Sequence, residues 1–248
     1  STKASTYSSS EVTQSFSNNK SNYQNNLNKQ NKSRPTSPPT GTPTSDSKPA
    51  TTRPEAMCKE TDKPLTAINA NNGKDFTTSK FPTFWFYVPY SRQEIKSLEF
   101  LVNNQKETKT IYKTSVQLLD KPGIIKITIP SKQDYSLKSS KTYRWYLKLK
   151  CQPHAGNEPD QVINGWLKRI PINSKLEQGL NSLGNQKYIG YKANNIWHDY
   201  INNLAEQHFA SPENTQFNRD WNELLKAIGK EFVIQENFVN SKQVPVQE

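Results

Sequence analysis

Three cations and an aromatic at strand spacing are the first residues whose chemistry matters. From Thr142 to Cys151, the residues Tyr143, Trp145, Leu147, Leu149 and Cys151 alternate with Arg144, Tyr146, Lys148 and Lys150. Successive side chains of a β-strand point to opposite faces, so one set meets a core and the other presents positive charge. Lys168 or Arg169 joins that charged face if the next strand pairs with this one as a hairpin. A basic sheet face studded with aromatics can hold an anionic polymer by charge attraction and ring stacking. The same pattern also suits an ordinary solvated face, whose lysines keep sheets from pairing edge to edge.

Other chemistries find less support. Cys58 and Cys151 are the only two cysteines, and a single distant pair suits a disulfide in an oxidising compartment; the alternative is two buried free thiols in a reduced cytosol. Neither sits in a CxxC pair, so zinc and dithiol redox chemistry lack their spacing. The three histidines are His154, His198 and His208. On one helix, His198 and His208 would stand about 15 Å apart along the axis, too far for one metal ion. Residues Gly179 to Gly184 come within one residue of a GxSxG elbow, and no GxxxxGK[ST] or GxGxxG motif occurs among the nine glycines. We therefore expect no cofactor and no metal. Carboxylate chemistry stays open as a rival, to be judged by whether two or more of His198, Asp199, Glu206 and Asp160 converge in one pocket.

The elements that must position these residues follow from composition. Of 248 residues, 32% are hydrophobic, and 33 basic against 22 acidic side chains give a formal charge of +11. Such a balance favours anionic partners, and equally serves solubility. No apolar run approaches the roughly 18 residues a membrane helix requires. The sequence starts at Ser1 rather than methionine, so an excised signal peptide is one expectation. Residues 1–56 are rich in Ser, Thr, Asn and Pro and are expected to form a disordered tail and linker.

From residue 57 the pattern changes to short β-branched and aromatic runs separated by turn formers. Strands are predicted at 65–68, 83–89, 98–102, 109–114, 124–129, 142–151 and 162–170. Seven strands at this spacing predict a β-sandwich over 57–172, of the immunoglobulin-like or fibronectin-like kind. Leu137 and Tyr143, six residues apart where the sixth strand begins, match the spacing of a tyrosine corner. In the second strand Phe84, Phe86 and Val88 face one way and Trp85 and Tyr87 the other, so its outer face needs a cover. A helical segment over 173–240 would supply it. Ile196, Trp197, Tyr200, Ile201, Leu204 and His208 fall on one helical stripe, and Phe217, Trp221, Leu224, Leu225 and Ile228 on another. Ser211 and Pro212 are predicted to start the second helix and Gly229 to stop it.

The run Phe81 to Tyr90 (FPTFWFYVPY), Pro122-Gly123-Ile124, Tyr143-Arg144-Trp145 leading to Cys151, Gly165-Trp166 and Ile196-Trp197-His198-Asp199 together resemble a cyanobacterial family known as domain of unknown function 928. The likeness covers about residues 58–235. It implies export with a signal peptide and supplies no activity, substrate or catalytic residue.

The expectation is thus a mainly β fold with helices, secreted or periplasmic, acting as a non-enzymatic binding module for an envelope or extracellular protein or an acidic glycan. Its binding residues would be Arg144, Tyr146, Lys148, Lys150 and Lys168. The alternative is a hydrolase with a carboxylate-based site between sandwich and helices; nucleic acid ranks third.

Overall fold

A computed structural model of the chain describes residues 41–51, 58–119, 121–153 and 156–246. Most of the expected tail, residues 1–40 and 52–56, lies outside the described residues, as does His154. Residues 41–51, also assigned to that tail, are instead anchored on the fold. Thr42 is buried, its amide donates to the carbonyl of Gly73 at 2.8 Å and its hydroxyl to Asp75 at 3.3 Å, and the Ser45 amide donates to Asn71. Polar composition hides such a segment, because hydrogen bonds rather than apolar burial hold it.

Among the described residues the fold is mainly β with four helices. The strands are β1 (Ala50–Thr51), β2 (Thr66–Ala67), β3 (Phe76–Thr77), β4 (Thr83–Val88), β5 (Ile95–Asn104), β6 (Thr110–Leu118), β7 (Gly123–Thr128), β8 (Thr142–Cys151), β9 (Gln161–Arg169) and β10 (Ser241–Val244). The larger sheet runs β1-β9-β8-β5-β6-β10, with β3 lying parallel along the far end of β9, and the smaller runs β2-β4-β7. The seven stretches predicted as strands coincide with β2 and β4 to β9. The described residues hold ten strands rather than seven, because β1, β3 and β10 add at edges. Those three are two to four residues long, too short for any periodicity to show.

The two sheets share one core, in which Phe84, Phe86 and Ile127 of the smaller meet Phe100, Trp145 and Leu147 of the larger. Phe84 lies 4.9 Å from Phe100, and Phe86 meets Trp145 edge to face at 5.3 Å. Trp145 needs room that only glycine leaves: a Cβ on Gly165, directly opposite in β9, would stand 2.4 Å from its ring. At the entrance to β8, Leu137 is fully buried and the Tyr143 hydroxyl accepts the Lys138 amide at 2.7 Å. Cys58 and Cys151 form a disulfide with Cα atoms 5.2 Å apart, tying the chain ahead of β2 to the end of β8.

A second core lies on the other side of the smaller sheet. Helices α1 (Ser174–Ser182), α2 (Lys187–Ala193), α3 (Trp197–Ala210) and α4 (Thr215–Ala227) form the third layer. Trp85 is 3% and Tyr87 6% exposed; Trp85 stacks on Phe209 of α3 and its indole donates to Asn202 at 2.9 Å. Helix α4 begins three residues later than predicted. Asn214, not Ser211, caps it by accepting the Phe217 amide, while Ser211 ends α3. Gly229 does stand just past the helix with a φ of 72°, the left-handed stop that favours glycine. Beyond it, the buried Lys230 amine donates to the carbonyls of Ala67 and Asn69, pinning the helical layer to β2.

Replacing Gly165 with alanine is expected to lower stability by about 1–3 kcal/mol, because overpacking forces the indole or the strand to shift. A reduced urea midpoint at unchanged slope would report it, and an unaltered midpoint would show that Trp145 can move freely.

Candidate functional site

The helices pack on the smaller sheet and on β3 at one end of the larger, and among the described residues none of their apolar clusters includes the outer face of the larger sheet. Its even-numbered β8 residues point away from the shared core, as the strict burial alternation of that strand shows. Strand register sets their neighbours: Arg144 lies between Trp166 and Asn103, Tyr146 between Asn164 and Leu101, and Lys148 between Val162 and Glu99. The Arg144 guanidinium stands 4.9 Å from the Trp166 ring and 5.3 Å from that of Tyr146, and the Lys148 amine 5.8 Å from Tyr146. Cations and rings thus alternate across two strands, each contact worth about 0.5–1 kcal/mol at a partly exposed site.

Arg144 and Tyr146 are more committed than their sequence spacing implies. The turn between β5 and β6 brings in Glu107, whose carboxylate lies 3.6 Å from Arg144 and accepts the Tyr146 hydroxyl. Arg144 also donates to Asn164 at 3.1 Å. Burial, reinforced by the bond to Glu107, pushes the Tyr146 phenol up to about 12. These two side chains brace the face, and the Tyr146 ring is already occupied by its cations rather than free for stacking.

Lys148 and Lys150 are placed differently. They line an open groove of about 580 Å³ with Ser97, Ser115 and Gln117, walled by Asn157 and Val244 to Val246. Glu99 shares the groove and lies 3.7 Å from Lys113. Among the described residues neither Lys148 nor Lys150 has a carboxylate within ion-pair distance. Lys168 is on the same face but at the other end, beside Thr142, and burial holds its amine below the usual lysine range. Eight residue steps along β8 take Thr142 to Lys150, roughly 27 Å at strand rise. The five expected residues therefore share one face but are spread along its length.

Trp166, Glu107, Glu99 and Asn164 belong to this face and were not among the binding residues expected from sequence, Trp166 having entered only through the family resemblance. The hairpin register would have set Trp166 opposite Arg144; the position of Glu107 depends on a turn whose geometry no spacing reveals.

The groups proposed for carboxylate chemistry sit in three places. His198 donates from Nε2 to the Thr83 carbonyl at 2.7 Å, and Asp199 accepts from the Thr77 and Thr78 hydroxyls at 2.6 Å each. Asp160 accepts the Cys151 amide at 2.8 Å beside the disulfide. Glu206 pairs with Lys126 at 3.0 Å on the surface. The Gly179 to Gly184 run lies along the end of α1 and the turn after it, not at a strand-to-helix bend. The cluster of Cys58, Cys151 and Asp160 brings its ligand atoms within 4.8 Å of one another, but its two sulfurs are consumed in the disulfide.

The family model described as Domain of Unknown Function (DUF928) matches residues 48–238. The chain belongs to this family. No curated protein and no solved structure matches it significantly. The DUF928 region runs from just ahead of β1 through helices α1 to α4 and stops short of β10, so it includes both β8 and β9. Among the described residues no helix is long and apolar enough to cross a membrane.

Burial pushes the His198 imidazole down against the opposing pull of Asp199 and Asp75, and likewise lowers His208. A histidine kept neutral in the folded state contributes full stability above the unfolded value of 6.5; below it the unfolded chain takes up a proton that the native state refuses. Stability should therefore fall as pH drops from about 7.5 to about 5.5. Asp75, raised by burial, has the opposite sign, so variants carry the test. His198→Gln combined with His208→Gln should flatten the urea-midpoint profile across that window; an unchanged slope would assign it to other groups.

Proposed function

We propose that this DUF928 protein is an exported, non-enzymatic binding module of the cell envelope or extracellular space. It holds an acidic glycan on the outer face of its larger sheet, and its Ser/Thr/Asn/Pro-rich N-terminal residues serve as spacer. The observation that carries this reading is the groove in which Lys148 and Lys150 stand, among the described residues, without a carboxylate at ion-pair distance, next to a braced row of cations and rings on the outer face of the larger sheet. Charge attraction in a groove lined by hydroxyls and amides suits a hydroxyl-rich anionic chain. The disulfide is compatible with an oxidising, extracytoplasmic compartment.

The fold reading goes with it. We propose an immunoglobulin-like or fibronectin-like sandwich formed by β2-β4-β7 against β9-β8-β5-β6, supported by the tyrosine hydroxyl that bonds backbone where β8 begins. In this architecture the sheets form a scaffold and binding is assigned to an exposed surface. The hydrolase alternative is less supported, since of its candidate groups only His198 and Asp199 are neighbours, and their side chains are engaged separately by the Thr83 carbonyl and by the Thr77 and Thr78 hydroxyls.

Reversing two charges, Lys148→Glu with Lys150→Glu, should cut retention on an acidic polysaccharide matrix at least tenfold at low salt. Melting temperature should barely move, because exposed charges contribute only about 0–1 kcal/mol to stability. Retention of the unaltered protein should also fade as salt shortens the Debye length from about 10 Å at 0.1 M to about 3 Å at 1 M. Equal retention of the double variant and the unaltered protein would refute the site.

A further inference from the structure

At the opposite end of β8 from the groove lies a second cleft of about 800 Å³, between the β5–β6 turn, the Gln133–Tyr135 turn and the approach to β8. Lys106, Lys109, Lys138 and Lys141 line it against a single carboxylate, Asp134. All four lysines are exposed, and among the described residues none is paired with an acid. Their backbone positions are nevertheless set. The Asn104 side chain accepts the amides of Thr108 and Lys109 at 2.9 and 3.1 Å and donates to the Thr108 hydroxyl, locking the turn that carries Lys106 and Lys109. The bond from the Lys138 amide to the Tyr143 hydroxyl fixes the other wall. Cations presented from a rigid frame lose less freedom when they capture an anion.

Lys168 stands level with Thr142 at the cleft, Lys148 lines the groove, and Arg144 with Trp166 lies between them on the same face of two paired strands. We infer that these features form one continuous track, and that its ligand is an extended acidic polysaccharide engaging both ends at once. The inference rests on the glycan reading of the groove and adds a second subsite and a minimum length, roughly the 27 Å from Thr142 to Lys150 at strand rise. Two subsites on one chain act together, since binding at the first raises the effective concentration at the second. A single-stranded nucleic acid would need open aromatic faces for its bases. Here Tyr146 and Trp166 already hold cations against their rings, whereas both depressions offer hydroxyls and amides, including Ser97, Gln117, Thr110 and Gln133.

The test titrates the full chain at low salt with two polyuronate fractions, one shorter and one longer than that span, and with single-stranded DNA of matching length. The long fraction should bind at least tenfold more tightly than the short one. Lys109→Glu with Lys141→Glu should erase that advantage while the short fraction still binds the Lys148 and Lys150 groove as before. A cleft variant that keeps the full length advantage overturns the track and leaves the groove reading intact. Loss of neither fraction on reversing Lys148 and Lys150 overturns the groove reading itself. DNA binding as tight as that of the long polyuronate overturns the assignment of the ligand as a glycan.

Discussion

Strand β4 is apolar on both faces, and the molecule is organised around satisfying that requirement. Phe84, Phe86 and Val88 cannot be left in water on one side, nor Trp85 and Tyr87 on the other. Burying a large apolar side chain is worth about 1.5–3 kcal/mol, so exposing either face would consume a sizeable share of the few kcal/mol by which a domain is stable. One covering layer is the larger sheet and the other is the helical segment. A two-layer solution would have left Trp85 and Tyr87 as a sticky surface. Three layers follow, with the small sheet in the middle.

That arrangement decides which surface remains for function. The helices pack on the smaller sheet and on β3 at one end of the larger, and the larger sheet turns only one face of β8 to the shared core, so among the described residues its other face is left outside the three clusters of buried apolar residues. Its edges are managed as well. After the helices, the chain runs beside β7, where the Ile124 amide donates to Asn237 and the Val239 amide to Ile124, then crosses to pair with β6 as β10. Gly123 permits the crossing, since a Cβ there would stand 2.7 Å from Val239. Gln243 extends its amide back to Thr128, accepting from the backbone N–H and donating to the carbonyl, so that one side chain bridges the two sheets where they would otherwise part. The same crossing supplies Val244 to Val246 as a wall of the groove.

On the open face, charge is divided between two jobs. Arg144 is held by Glu107, Asn164 and two aromatic rings, which stiffens the surface and neutralises part of its charge. Among the described residues Lys148 and Lys150 have no carboxylate within ion-pair distance. A residue count would treat all three cations alike; the distinction comes from which of them the strand register and one turn place near a carboxylate.

The sequence by itself determined the features that depend on local periodicity. Alternation in β8 separated core from surface residue by residue, the doubly apolar β4 required a cover, the helical stripes around Tyr200 and Trp221 supplied one, and the two cysteines were read as a bridge that the structure contains. Tertiary structure alone decided what depends on residues distant along the chain. Glu107 reaches Arg144 only through a turn, residues 41–51 bind through hydrogen bonds that leave no compositional trace, β1, β3 and β10 are too short to carry a period, and Asn214 rather than Ser211 caps α4 because both types suit the role. The physical reason is common to these cases. Periodicity records which side of an element meets water, while ion pairs, edge strands and clefts depend on relative placement in space, which one-dimensional spacing does not encode.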